Sequence, residues 1–244
     1  MAQYSFGSGS LWGIPVGAAP TPAQFAVLQD VSVDFNFSLK ELRGQFQFPV
    51  AVARGGGKIT WKAKAAKING AMLNSIFFNG TNATGLQTSQ VNEAGTVAAT
   101  TITVSNSATF LTDLGVTDSS GVQYTRVASG PVGTQYSVAA GVYTFNSTQN
   151  AQVLALSYVY STAGTGNTTT LTNQLMGNQT TFKMILGETF AVGGVNKQMV
   201  LTLNAAVANK LTIATKLEDF TIPEWDGEAF ADSAGNIGTL ALSE

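Results

Sequence analysis

Three constellations in this chain carry side chains able to do chemistry. Arg54-Gly-Gly-Gly-Lys58 has the composition of a phosphate cradle, glycine amides closed by a cation. Its spacing excludes a P-loop: Val52 stands where the first glycine belongs, and Ile59 follows the lysine where a metal-binding hydroxyl is needed. It also leads into a strand pattern, so no helix N-terminus faces an anion, and it reads as a tight turn. Lys58, Lys62 and Lys64, with Lys67 beyond, form a basic row on one strand face. A nucleic-acid groove wants aromatics on that same face, and Trp61 has the opposite parity, so the row reads as solvated or intersubunit. Glu224, Asp226 and Glu228 alternate and offer carboxylate pairs of the kind that hydrolyse glycosidic bonds. They sit among other acids with no sign of a pocket, and catalysis is not the expectation. Asp113 and Asp118 lack calcium-loop spacing.

The composition narrows the chemistry further. There is no histidine and no cysteine, which removes disulfides, thiol nucleophiles and the usual zinc ligands, and leaves acid–base work to carboxylates, Lys or Tyr. No cofactor and no enzymatic activity are expected. Charged residues make up only 11% of the 244, less than half the usual share, with Gly, Ala, Ser, Thr, Asn and Gln in their place. Such a surface suits a subunit that meets copies of itself, or a neutral secreted β-protein. The net charge of −2 implies no polyanionic partner. The charges are unevenly placed. Seven of twelve basic residues fall in Lys40–Lys67, and seven of fourteen acids in Glu218–Glu244. That asymmetry marks either complementary faces of neighbouring subunits or two solvated edges. The Asn-X-Ser/Thr triplets at Asn36, Asn79, Asn82, Asn146, Asn167 and Asn178 read as chance, because the first residues lack the pattern of a signal peptide. No apolar run approaches a membrane span, and folding in a cytoplasm is the expectation.

The elements that must position these residues are mostly strands. Val31, Val33, Phe35, Phe37 and Leu39 alternate with Asp30, Ser32, Asp34, Asn36 and Ser38, a strand with one dry and one wet face. Phe46, Phe48, Val50 and Val52 share a parity, as do Ile59, Trp61, Ala63 and Ala65. The spacing predicts a hairpin with a polar tip at residues 40–44, a turn at Gly55–Gly57 and a third strand over Lys58–Lys67. Pro49 marks an edge or bulge. Residues 1–26, rich in Gly, Ala and Pro, read as an irregular arm anchored by Trp12 with Leu11 and Ile14. Ile68, Met72, Leu73, Ile76 and Phe77 follow helical spacing, with Gly80 as a stop after Asn79.

From about Thr88 to Thr162 the charges thin out, Arg126 being the one basic residue. Short strands are expected at Thr100–Val104, Val122–Val127, Gln135–Val138, Val142–Phe145 and Val153–Tyr160. Low-complexity stretches flank them, and the segment reads as a small all-β domain (88–162) inserted into a body formed by 1–87 and 163–244. Alternation then resumes in Phe182–Leu186, Met199–Leu203 and Leu211–Ile213, followed by an acidic tail over Glu218–Asp232 and a glycine-spaced segment, Gly235–Leu242.

Several of these segments resemble one family. They are Leu39-Lys-Glu-Leu-Arg-Gly-Gln-Phe-Gln-Phe-Pro-Val-Ala-Val-Ala, Lys58-Ile-Thr-Trp-Lys-Ala-Lys-Ala and Ile68-Asn-Gly-Ala-Met-Leu-Asn-Ser-Ile-Phe-Phe. The C-terminal stretches are Lys216-Leu-Glu-Asp-Phe-Thr-Ile-Pro, Ala229-Phe-Ala-Asp and Gly235-Asn-Ile-Gly. Together they resemble the tail tube (major tail) proteins of long-tailed bacteriophages. The middle segment, with Gly133-Thr-Gln-Tyr-Ser-Val and Gly141-Val-Tyr-Thr-Phe, is similar to small β-modules that decorate such virions. The resemblance implies a mainly β body, a sandwich or half-barrel with one flanking helix and a long hairpin loop, plus the inserted domain. It implies hexameric rings stacked into a hollow tube of the virion, made in the host cytoplasm. The partners it implies are other copies, other tail proteins (terminator, baseplate or tip, in some tails a sheath) and DNA passing through without specific binding.

On that expectation Leu39, Lys40, Glu41, Leu42, Arg43 and Gly44 form the loop that reaches a neighbouring ring, and Asp30, Ser32, Asp34, Asn36 and Ser38 line the lumen. Lys58, Lys62 and Lys64 would then face away from the lumen, or meet Glu218, Asp219, Glu224, Asp226 and Glu228 of an adjacent subunit. The rival reading is a non-catalytic carbohydrate-binding or adhesin-like β-protein of a virion or cell surface. It would display Tyr124, Tyr136, Tyr143, Tyr158 and Tyr160 on the inserted domain.

Overall fold

The computed structural model of the protein describes residues 7–243 except positions 8, 18, 68, 193, 194 and 216. The chain is mainly strand. It begins with β1 (Ser10–Pro15), β2 (Ala23–Gln24), β3 (Leu28–Arg43) and β4 (Pro49–Ala65). A helical turn α1 (Gly70–Leu73) follows and widens into a π-turn over Asn74–Phe78. Then come β5 (Thr81–Thr96), β6 (Thr101–Thr103), β7 (Phe110–Asp118), β8 (Thr125–Arg126), β9 (Gln135–Ala139), β10 (Val142–Phe145) and β11 (Val153–Thr170). The chain ends with β12 (Phe182–Val192), β13 (Val195–Thr212), β14 (Glu224–Phe230) and β15 (Gly238–Leu242). These elements fold as two compact units, one from the described parts of Met1–Thr81 and Thr169–Glu244, the other from Asn82–Thr168.

The first unit is one antiparallel sheet, in the order β2-β1-β12-β13-β14-β4-β3, with β15 beside β13. One face carries the core. Trp61 and Trp225 lie on neighbouring strands, with Phe25 edge-on to both at 6.5 and 5.3 Å between ring centres. Phe182 meets Trp61 edge-on at 5.9 Å, and Phe77 meets Trp225 at 6.3 Å. The helical segment covers this face: Met72 and Ile76 are buried in the same cluster, with Leu73 and Phe77 packed against it. Asn79 ends it in the left-handed region, φ 48°, and the Asn74 side chain accepts from the Gly80 N–H at 2.7 Å. The expected helix is present in its described residues; Ile68 lies outside them.

Gly227 lies between Trp61 and Ala208 in the sheet. A Cβ there would run into the Val207 carbonyl oxygen and the Trp61 indole. Gly227→Ala is therefore expected to cost about 1–3 kcal/mol, the usual range for overpacking, read as an earlier melt by tryptophan fluorescence. An unchanged melt would show that the sheet relaxes around the methyl.

Several expectations need correction. Residues 10–15 of the supposed arm are a sheet strand paired to β12 over Ser10–Pro15. Leu11, not Trp12, is the fully buried anchor. The alternation is hidden because the next inward residue is Gly13, whose missing side chain makes room for Ile76, 2.6 Å from a built Cβ. Gly55–Gly57 is no turn; β4 continues through it, with the Phe37/Leu39 register shift placing Gly55 and Gly56 opposite Ser38. Gly57 lies under the Phe37 ring and Gly55 against Ser38, so the glycines serve close packing. The acidic tail contains an interior strand, since β14 sits between β13 and β4. Pro49 opens β4 at a register shift, in keeping with its lack of a donor.

The second unit has a four-stranded sheet, β6-β10-β9-β8, and a three-stranded sheet, β5-β11-β7. Its core is aromatic and aliphatic, with Tyr143, Tyr158, Leu154 and Leu156 fully buried. Both low-complexity flanks are strand: β5 and β11 run through them. The Thr168 hydroxyl donates to the Gly85 carbonyl at 2.9 Å, and Gly80 leaves no room for a side chain against the Thr170 carbonyl. The outgoing and returning chain segments thus run side by side.

Candidate functional site

The β3–β4 hairpin outgrows its sheet. β14 pairs β4 only over Ile59–Lys64, whereas β3 pairs β4 out to Arg43 and Pro49. Residues 36–58 therefore project as a two-stranded ribbon. The apolar face expected to be dry is half-buried only as far as Val33; Phe35 and Phe37 are 50% exposed and Phe48 79%. Leu39, Leu42, Phe46, Val50 and Val52 are exposed as well. Isolated apolar surface residues need no explanation, but a contiguous set on a projecting ribbon marks a contact surface. The Arg54 guanidinium sits over the Phe37 ring at 4.7 Å, so even a cation here is held on apolar surface.

The expected loop residues fall elsewhere than predicted. Leu39, Lys40, Glu41, Leu42 and Arg43 are strand residues opposite 49–54, and the turn occupies 44–48, with Gly44 as its first member. Register shifts at Phe37/Leu39 and Leu42/Arg43 absorb the broken alternation that suggested a loop. Arg43 donates to Glu41 in a 2.6 Å ion pair at the tip. Among the described residues the outer edge of β3 has no partner strand along its 16 residues.

The base of the ribbon borders an apolar groove of about 660 Å³. Val33 and Phe35 line it from β3, Leu186 from β12, Met199 and Leu201 from β13, and Ile237 and Leu240 from the β15 region. β3, at one end of the sheet order, thus faces β12, β13 and the β15 region, from which β14 and β4 separate it in that order. Ile237 and Leu240 on its rim are exposed.

The opposite sheet face is charged, and register places its residues in rows. Asp30, Lys64 and Glu224 stand side by side on β3, β4 and β14. Ser32, Lys62, Asp226 and Lys210 form the next row, Asp34, Thr60 and Glu228 the one after. Directly opposed residues of an antiparallel pair share a face. The candidate lumen residues Asp30, Ser32, Asp34 and Asn36 and the lysines Lys58, Lys62 and Lys64 therefore lie on one and the same face. This corrects the expectation that the lysines point away from it. Ser38 stands beyond Asn36, its hydroxyl donating to the Gly56 carbonyl at 3.3 Å.

The acids expected from an adjacent subunit come from this chain. Lys58 meets Glu228 at 2.7 Å, Lys64 meets Glu224 at 3.0 Å, and Lys210 meets Asp226 at 3.3 Å. The Glu224 hydrogen bond and charge, aided by Asp30, raise the Lys64 ammonium above its ordinary value. Glu218 and Asp219 are not part of this face; they lie in the β13–β14 loop, where Asp219 accepts from the Phe220 N–H at 2.8 Å. Lys210 was not singled out from the sequence; only sheet register shows that it joins the row.

The remaining candidates have structural partners. Asp118 accepts from the Ser120 and Val122 N–H groups at 2.8 and 2.9 Å, a turn cap. The Asp113 side chain, 5% exposed, accepts from Tyr136, Tyr143 and the Gly115 N–H at 2.7, 2.9 and 3.0 Å, with Arg126 at 3.8 Å. Burial first, and then the Asp113 carboxylate, push both tyrosine hydroxyls well above their ordinary value. Tyr124, Tyr136, Tyr143 and Tyr158 are buried, so the sugar-binding platform that the rival reading needs is not displayed by them. Glu224 and Asp226 point from one strand face into lysine partners, the arrangement of a surface ion-pair lattice.

Among the described residues no group of three or more metal-ligating side chains converges, and no helix is long and apolar enough to cross a membrane. Compared with models of known protein families and with curated proteins, the chain matches none.

Proposed function

We propose that this chain is a structural subunit that joins copies of itself into rings, stacked as the hollow tail tube through which a long-tailed phage passes its DNA. One observation carries the reading. Among the described residues, a 16-residue strand with no neighbouring strand on its outer edge continues into a ribbon of exposed phenylalanine, leucine and valine. Such an edge is an aggregation hazard in a monomer, and closing strands of several copies into a common barrel removes it. A contact made by different patches on two copies gives rings when the rotation closes. The ribbon and the groove at its base are two such patches. The work is architectural, the setting is the virion, and further tail proteins cap and terminate the stack.

Negative-stain electron microscopy over a concentration series tests this. Rings of one diameter stacking into tubes are expected. Phe46→Ser with Phe48→Ser should abolish stacking and leave the melting temperature unchanged, since both side chains are exposed in the single chain. Tubes from the double variant at wild-type concentration would remove the ribbon from the contact. A wild type that stays monomeric at every concentration, even with preformed rings added, would sink the tube reading.

A further inference from the structure

We propose that the carboxylates of β14 are built-in counterions that keep the lysine row of β4 silent toward nucleic-acid phosphate. The inference rests on the reading that this face meets DNA. Lys58, Lys62 and Lys64 line one strand on one face, and alone they would make a cationic track. Glu224, Asp226 and Glu228 occupy the neighbouring strand, in register or one step off. Lys58 and Lys64 are each held by one of these acids, and Asp226 stands beside Lys62 while pairing with Lys210. Counting Asp30 and Asp34, the face holds five acids against four lysines and is close to neutral.

Stability does not account for this lattice. Its three ion-paired lysines, Lys58, Lys64 and Lys210, are each about half exposed or more, and exposed pairs contribute little to stability. Affinity for DNA, by contrast, comes mainly from lysines and arginines that displace condensed counterions from phosphate. A lysine already neutralised by a fixed carboxylate gains little by that exchange. The face is thereby suited to a polyanion sliding past it: wet, charged in detail and neutral on average. Acids alone would repel the duplex, and lysines alone would hold it.

The test is fluorescence anisotropy with a random-sequence DNA duplex at low salt, using the subunit below its assembly concentration. Wild type is expected not to bind. Glu224→Gln/Asp226→Asn/Glu228→Gln leaves two acids against four lysines and should bind. Three lysine–phosphate contacts give a log–log salt slope of about −2.7, hence roughly a 40-fold loss between 50 and 200 mM salt. Glu228→Gln alone should free Lys58 and give a slope of about −0.9, which keeps the test open if the triple variant misfolds. Glu218→Gln/Asp219→Asn removes acids off the face and should not bind.

A folded triple variant without affinity overturns the proposal. So does wild type binding as well as the variant, or the off-face variant gaining equally. Micrographs of wild type at high concentration separate the two readings. Tubes without the variant's gain overturn the masking alone, and the gain without rings overturns the tube reading alone.

Discussion

Trp61→Ala is expected to destabilise the sheet unit by about 3–5 kcal/mol, the range for emptying a large aromatic site in a packed core. Trp61 is fully buried, touches Phe25 and Phe182 edge-on, and covers Gly227 on the next strand. Its loss opens a cavity that glycine cannot fill. Composition supplies the readout. All three tryptophans lie in the unit formed by the two chain ends, and Tyr124, Tyr136, Tyr143, Tyr158 and Tyr160 lie in the other. The variant should therefore lower the melt seen by fluorescence of the remaining Trp12 and Trp225 and leave the near-ultraviolet tyrosine signal in place. Trp61→Phe should cost much less, because the indole N–H has no hydrogen-bond partner among the described residues to lose. Equal melts for Trp61→Ala and wild type would refute this account of the core.

The second large effect lies in the other unit. Asp113→Ala is expected to cost about 3 kcal/mol, because it strands the buried hydroxyls of Tyr136 and Tyr143 without their acceptor. The same cluster sets an alkaline limit. Both hydroxyls have folded-state values raised above the ordinary tyrosine value, so the folded state favours their protonated form. That contribution is complete below about pH 10, where unfolded tyrosine titrates, and is lost as pH rises beyond it. Tyrosinate absorbance should therefore grow together with unfolding of this unit.

At the acid end, burial raises the Glu93 carboxyl, but hydrogen bonds from Tyr158 and Ser105 outweigh it and hold the group below its ordinary value. Its contribution is present above the ordinary carboxylate range and fades as pH falls through the folded value. Smooth tyrosine titration at about pH 10, with the fold intact, would contradict the buried cluster.

What the sequence made legible follows the physics of repetition. Ile59 to Ala65 alternate because one sheet face is covered and the other wet; Val31 to Leu39 alternate as well, although the cover ends at Val33, and both are strands. Met72, Leu73, Ile76 and Phe77 kept helical spacing because one stripe meets the tryptophans. Segments positioned by glycine were opaque. β1 hides its inward position at Gly13, and β4 crosses three glycines that a propensity reading takes for a turn. β7 was missed because Gly115, at φ 119°, and two register shifts break its alternation. For the candidate site, parity picked out the lysine row and the acid row separately. Their meeting depends on β14 lying beside β4, a pairing between distant parts of the chain that no local pattern encodes. Parity also grouped Phe46, Phe48, Val50 and Val52, which are exposed, since alternation records an apolar face and not what covers it.

The adjacency of Gly80 and Thr170 has a practical consequence. The chain leaves the sheet unit and returns to it at one spot, so closing that gap demands little loop entropy. Asn82–Thr168 is in effect a plug-in position. A foreign domain with neighbouring termini can be spliced there, or the segment bridged by a short linker, without asking the sheet to change register. Were copies to polymerise as proposed, the assembly would be a rack with one cargo socket per copy.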